Sequence, residues 1–393
     1  MRLFDKIPNQ ILQPVAKNPS RFRLTPNHGA TTVLPVMIRP FESFMFTVPR
    51  FDRGAVKQLP LFWGPGKNNP CAGHDFGRKP MKKIILAAGL VSLMGATSAL
   101  AQQIGVSVAR FDDNGLTVMR NGMAAHEKTL DGVSLQVEDA TDDVAKQLDQ
   151  INNFIASGVD AIIVNAVDTN ATEAMSNAAA SAGVPLVYVN RQPINMDSLP
   201  DGQAFVASNE IESGTLAAFR MCQDLRAQGK SGGAKAYMLM GQLSNQAAVQ
   251  RSKDFEDVIG MDMCNFIELV DKQTANWSRD EANDLMTNWI SSGEPFDAVF
   301  GNNDEMALGA IQALKNAGIS MDDVVVGGVD ATSDALLSMQ AGEMDVTVFQ
   351  DLAGQGAGSI DTALALIAGE KVDKTVFIPF KLVTPENIGD FLK

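Results

Sequence analysis

From Ile104 onward the chain repeats one pattern: a short, nearly unbroken aliphatic run, then a helix-length stretch, then another such run. The first series of runs falls at residues 104–109, 134–138, 161–165, 186–189 and 204–207. A second series falls at 236–240, 266–270, 298–300, 324–328 and 346–350. Runs that do not alternate with polar residues belong to strands buried on both faces. Helices are expected between them, at 144–156, 172–182, 280–291 and 306–317, the last with Leu308, Ile311 and Leu314 on one side. Gly158, Gly183 and Gly318 stand where a helix end needs a left-handed residue, each shortly before the next strand. Strand and helix in strict alternation form right-handed βαβ units and parallel sheets. The fold class is therefore α/β. Ten strands divide into two sheets, hence two Rossmann-like lobes, and 393 residues suffice to give each its own core.

Charge separates this region from what precedes it. Residues 1–80 hold 12 Lys or Arg against 4 Asp or Glu, whereas residues 102–393 hold 18 against 42. A surface so acidic repels a phosphate backbone, so nucleic acid is not an expected partner. Between the two regions, MKKIILAAGLVSLMGATSALA (81–101) has the three parts of a secretory signal. Lys82 and Lys83 form its charged start, 84–95 its apolar core, and Ala99-Leu100-Ala101 a small-x-small cleavage site. The apolar run is too short to span a bilayer comfortably. Export is expected, to the periplasm, with the mature chain starting near Gln102; the competing reading is a buried helix of the first lobe. Residues 1–80 are rich in Pro, Arg and Asn and show no sustained period. They read as upstream sequence from a start codon placed too early, or else as a disordered basic extension. No pair of amphipathic helices suggests a helix-turn-helix there.

In open α/β sheets ligands sit beyond the C-terminal ends of the strands, where strand order reverses. The residues at those ends are uniformly polar here. Arg110-Phe111-Asp112-Asp113-Asn114 follows the first run, and Asn190-Arg191-Gln192 the fourth. A stretch ending at Arg251 follows 236–240, and Gln273-Thr274-Ala275-Asn276-Trp277 follows 266–270. Asn302-Asn303-Asp304, Asp330 and Gln350-Asp351 complete the set. Carboxylates, amides and guanidinium groups suit a ring of hydroxyls, because each hydroxyl both donates and accepts. A flat aromatic such as Trp277 covers the C–H face of a saturated ring. Singly, Asp and Asn at such positions are also ordinary helix N-caps; seven strand ends behaving alike favour a site.

At these residues the chain resembles a known family, the type I periplasmic sugar-binding proteins. Ile104-Gly105-Val106-Ser107 running into Phe111-Asp112-Asp113-Asn114 resembles the galactose/glucose-binding branch. FGNNDEMALGAIQAL (300–314), VVVGGVDATSDAL (324–336) and VTVFQD (346–351) resemble the ribose-binding branch. YVNRQP (188–193), MGQLSNQAA (240–248), QTANW (273–277) and IPFKLVTPENI (378–388) are most similar to binding proteins for inositol or rhizopine uptake. The resemblance covers essentially all of 102–393.

The resemblance implies two lobes joined by a three-segment hinge, crossing near Ser208-Asn209, Gln350-Asp351 and Phe380. One lobe would comprise 102–208 plus 351–379, the other 209–350 plus 380–393. It implies ligand contacts at Asp113, Asn190, Arg191, Arg251, Trp277, Asn303, Asp330 and Gln350. Arg191 and Arg251 would donate to ring hydroxyls, Asp113 and Asp330 would accept, Asn303 and Gln350 would do both, and Trp277 would stack. The ligand would be a sugar or cyclitol, with myo-inositol or a rhizopine leading and a galactose-, glucose- or ribose-type sugar as the alternative. The partners would be an ABC transporter permease and, as a second reader of the closed form, a chemoreceptor; the chain would act as a monomer. Departures from the galactose pattern are Ala109 and Gly115 where aromatics flank the aspartate, with Phe111 or Leu116 left to cover that face, and Ala247 in place of an acidic residue before Arg251. Residues 228–235 hold no Asp-rich calcium loop, so neither metal nor cofactor is expected.

Cys222 and Cys264 are the only cysteines after residue 101, and they fit either a disulfide or two buried thiols. His126, the only histidine there, removes His-based triads and is expected on a solvated helix face. Asp113 and Asp330 fall in opposite lobes as hydroxyl acceptors, so a sugar-processing enzyme, which needs a paired acid and nucleophile, is not expected. A ligand-sensing transcription regulator of related architecture is the remaining rival.

Overall fold

The computed structural model describes residues 101–392. The expectations for 1–80 and for the export signal, Ala101 apart, lie outside the described residues.

The first sheet has six parallel strands in the order β11-β5-β4-β3-β1-β2. They are β1 (Gln102–Val108), β2 (Val133–Asp139), β3 (Ala161–Val164), β4 (Leu186–Val189), β5 (Gln203–Ala207) and β11 (Thr375–Phe377). Its helices are α1 (Asn114–Glu127), α2 (Val144–Ser157), α3 (Thr172–Ala182) and α9 (Leu352–Ile367). The inner strands β3 (AIIV) and β4 (LVYV) are buried along their whole length, as their unbroken aliphatic runs require.

The second sheet has four parallel strands in the order β7-β6-β8-β9. They are β6 (Ala234–Met240), β7 (Ile267–Thr274), β8 (Ala298–Gly301) and β9 (Val325–Gly327). Around them lie α4 (Glu210–Ala227), α5 (Gln246–Ile259), α6 (Arg279–Ser292), α7 (Asp304–Asn316) and α8 (Ser333–Gln340). β10 (Thr347–Phe349) is attached to the β9 edge by two parallel bridges and pairs antiparallel with β12 (Lys381–Val383). That pair departs from the all-parallel expectation. Ile378, Pro379 and Phe380 carry the chain straight on from β11 in the first sheet into β12, which therefore runs opposite to β10.

Helix ends follow local chemistry. Asp143 caps α2 by accepting from the backbone N–H groups of Ala145 and Lys146 at 2.8 and 3.0 Å. Gly158 and Gly183 close α2 and α3 in the left-handed conformation; Ala317 caps α7, and the left-handed Gly318 follows it. Cys222 and Cys264 form a disulfide with Cα atoms 5.8 Å apart, at the N-terminal end of the second sheet. His126 stands on a partly solvated helix face. It lies on α1 within 2.7 Å of Asp361 on α9 and ties those two helices together.

In both sheets the chain builds outward on one side and then reverses: β1 lies between β2 and β3, and β6 between β7 and β8. The two reversal points face a common cleft. The chain passes between the lobes three times: between β5 and α4, between β10 and α9, and between β11 and β12. Across the cleft, Thr169 N–H donates to Ser244 O at 2.9 Å and Gln246 N–H to Thr169 Oγ1 at 3.3 Å. Gln242 Nε2 donates to Asp142 Oδ2 at 3.3 Å, so the lobes meet directly.

Candidate ligand-binding site

Asp113, Asn190, Arg191, Arg251, Trp277, Asn303, Asp330 and Gln350 all line one cavity between the lobes, enclosing about 420 Å³ including its mouth. Each stands just past the C-terminal end of a strand, except Arg251, which reaches in from α5. Gly115, Leu116, Glu210, Asn245, Ala247 and Leu352 complete the wall. Of the two residues left to replace the missing aromatics, Leu116 lines the cavity. Phe111 instead lies under the Arg120 guanidinium, 3.9 Å from its ring centre.

The bland role and the functional one coincide at two positions. Asp113 Oδ1 accepts from Leu116 N–H at 2.8 Å and caps α1, while Asn303 Oδ1 accepts from Met306 N–H at 3.0 Å and caps α7. Capping uses one oxygen and fixes the rotamer, leaving the rest of each side chain for the cavity.

The guanidinium groups are held differently. Arg251 is 4% exposed, and its Nε and Nη2 donate to Glu210 Oε2 and Oε1 at 2.7 and 3.1 Å. Nη1 donates to Asn302 O at 2.8 Å, and Nη2 also donates to Gln350 Oε1 at 3.4 Å. Burial works against its charge, but Glu210 and Asp330 outweigh that and hold the guanidinium more firmly protonated than usual. Arg191, 3% exposed, donates through Nη1 to Ala166 O and Val167 O at 2.9 and 3.3 Å. It pairs with no carboxylate among the described residues, and burial depresses its pKa. Its Nε and Nη2 hydrogens have no acceptor among the described residues.

Asp330 is the complementary acceptor. Burial pushes its carboxyl well above the usual range although Arg251 pulls the other way, with Nη1 3.8 Å from Oδ1. Its oxygens accept no hydrogen bond from a described side chain. Trp277 Nε1 and Gln350 Nε2 are buried donors that likewise lack partners among the described residues. Unpaired buried donors are costly, so a site that retains them is built to satisfy them with something else. The backbone tells the same story. Asn190, Trp277 and Asp330 have φ of 67°, 65° and 124°, a region that costs an L-residue about 1–3 kcal/mol and that concentrates at functional sites.

Glu210, Asn245 and Leu352 escaped the sequence reading. Asn245 caps α5 through Ala247 N–H at 3.1 Å, and its place after β6 was the available signal. Glu210 sits in the first turn of α4, where an acidic residue is ordinary. Among the described residues, no group of three or more His, Cys, Asp or Glu is placed to hold a metal ion.

A family model described as periplasmic binding protein domain matches residues 104–371. A Rhizobium meliloti protein named for rhizopine binding is 59% identical over 311 residues, covering 79% of this chain and 99% of that one. The ribose import binding protein of Bacillus subtilis (strain 168) is 31% identical over 283 residues, covering 72% and 87%. Among solved structures, an ABC transporter solute binding protein from Bacillus halodurans C-125 with bound myo-inositol superimposes with a TM-score of 0.68. It is 38% identical and covers 75% of this chain and 99% of that one. The family match spans strands and helices of both sheets, and the relatives are covered almost end to end; the chain belongs to the type I periplasmic binding protein family.

Proposed function

We propose that this chain is the receptor of an ABC importer and captures a cyclitol, myo-inositol or a rhizopine, between its lobes. One observation carries the reading: the cavity sets two buried guanidinium groups among the carboxylates of Asp113, Asp330 and Glu210, beside a buried tryptophan. A saturated ring bearing hydroxyls all round donates to Asp113 and Asp330 and accepts from Arg191 and Arg251. Trp277 covers its C–H face. The relative named for rhizopine binding and the neighbour holding myo-inositol support the choice of ring. Relatives named for binding and import make this a receptor, not an enzyme.

The three passages between lobes serve as the hinge in this reading. The lobes are 102–208 plus 351–379, and 209–350 plus 380–393. Closure on ligand presents a surface to the permease, and a chemoreceptor is a second reader of the same closed monomer. Export through 81–101 delivers the chain to the periplasm.

Calorimetric titration of the purified chain with myo-inositol, an amino-inositol, D-galactose, D-glucose and D-ribose tests the ligand. Micromolar or tighter binding of a cyclitol, with the sugars at least tenfold weaker, is expected. A preference for ribose, which the Bacillus subtilis relative favours as the second reading, would replace the cyclitol assignment. N-terminal sequencing of periplasmic material should begin near Gln102; an intact Met1 in the cytosol would contradict export.

A further inference from the structure

Arg251 touches the cavity, and its other contacts lead to all three places where the chain passes between the lobes. Glu210, which receives two of its hydrogen bonds, opens α4 directly after the first passage. Gln350, which receives a third, directly follows β10 at the second passage. Phe380 lies in the third passage, with its ring centre 6.0 Å from the Arg251 guanidinium carbon. A guanidinium has five N–H donors in a rigid planar fork. Three go to Glu210 and Gln350 and one to Asn302 O, leaving one Nη1 hydrogen for the cavity.

Two carboxylates compete for this cation. Glu210 holds it through two short bonds and is itself buried, with Ser213 Oγ donating to its Oε2 at 3.0 Å. Asp330 waits 3.8 Å away. Fork-to-fork pairing with a carboxylate is the strongest arrangement available to Arg, and breaking one partner of a buried pair leaves an uncompensated charge. Without the Glu210 charge, the nearest relief for Arg251 is a full ion pair with Asp330. That pair would consume the ligand's acceptor and withdraw the guanidinium from the first and second passages.

We infer that Glu210 is a positioning residue: it keeps Arg251 off Asp330 and fixes the guanidinium as the common anchor of the three interlobe passages. Ligand contact with Arg251 then acts on all three at once. The inference rests on the cavity being the ligand site, but not on which ring occupies it.

The test compares wild type with Glu210→Gln, Glu210→Asp and Ser213→Ala in the full chain. Calorimetry with myo-inositol should show affinity falling at least tenfold in Glu210→Gln and by a smaller factor in Glu210→Asp, which keeps the charge but shortens its reach. In the ligand-free proteins, hydrogen exchange should accelerate in Glu210→Gln not only around residue 210 but also at 350–352 and 378–381. Ser213→Ala removes a bond to Glu210 without touching Arg251 and should leave both distant segments protected. If Ser213→Ala reproduces the Glu210→Gln pattern, or if exchange changes stay within the first turn of α4, the inference is overturned. Glu210→Asp keeps the question decidable should Glu210→Gln fail to fold: wild-type affinity and exchange in that variant also overturn it. If wild type itself ignores myo-inositol, the ligand assignment fails, and the exchange comparison alone decides the positioning role.

Discussion

The Trp277 ring occupies the space that any side chain on residue 241 would need: a Cβ added to Gly241 would lie 2.1 Å from Trp277 Cζ2. Gly241 follows β6 and Trp277 follows β7, so a glycine at one strand end leaves room for the aromatic that lines the cavity from the next. Gly241→Ala should therefore push the ring into the cavity or out of it. The expected result is a myo-inositol affinity at least tenfold weaker, with a smaller ligand-induced change in tryptophan fluorescence, while circular dichroism stays that of the wild type. Unaltered affinity would show that the ring does not meet the ligand.

Arg191 spends stability on function. Its guanidinium is buried without a carboxylate partner among the described residues, an arrangement that folding alone does not favour. Arg191→Met keeps much of the apolar volume and removes the charge. The ligand-free variant should melt a few degrees higher than wild type, and its affinity should fall about a hundredfold, as expected when a residue is kept for its site. A lower melting temperature in the ligand-free variant would mean that the backbone bonds to Ala166 and Val167 outweigh the desolvation.

Acidification should stabilise the chain before it unfolds it. Burial raises the carboxyls of Asp254, Asp304 and Asp345 to about 6 from an ordinary value of 3.8. Between those values the folded state binds more protons than the unfolded one, so stability rises as pH falls from 7 toward 5. Glu386, held down to about 2 by its bond from Arg220, acts the other way only below its ordinary value of 4.5. A melting temperature several degrees higher at pH 5 than at pH 7.5 is expected. Asp254→Asn, which removes a carboxylate whose Oδ2 has no partner among the described residues, should flatten that slope. Its effect at pH 7.5 is a gain of at most about 3 kcal/mol by the linkage of pKa to free energy.

The disulfide closes a loop of 42 residues, and loop-closure entropy assigns such a bridge about 3–4 kcal/mol. Replacing both cysteines with alanine should lower the melting temperature by roughly 6–16 °C at about 2–4 °C per kcal/mol. Ligand affinity should hardly change, because the bridge lies at the opposite end of the second sheet from the cavity.

Much of this was legible because parallel sheets announce themselves. Runs such as AIIV and LVYV can be little else, and the residue after each run is automatically at the cleft. That rule marked the strand ends where seven of the eight cavity residues stand, and the family resemblance singled out those seven and Arg251 on α5. It could not find Glu210, whose importance lies in a partner 41 residues along the chain and whose helix-start position is unremarkable for an acid. Nor did it find β11 and β12. These are three-residue pieces flanking Pro379, with too few residues to show a period, and their pairing is decided by the rest of the fold. The cysteine pair stayed undecided for a similar reason, since bonding depends on a distance that only the packed helix and strand supply.

The first lobe draws its last two pieces from the far end of the chain. α9 packs against α1 so closely that a Cβ on Gly122 would lie 2.5 Å from the Ala353 backbone, and β11 closes the free edge of β5. A ribosome has therefore made nearly the whole polypeptide before that core can be covered and its open strand edge protected. Until then the early half has nothing to complete it. A chain so arranged keeps its first lobe open until residues 352–377 emerge, so that lobe cannot finish folding before most of the second has been made.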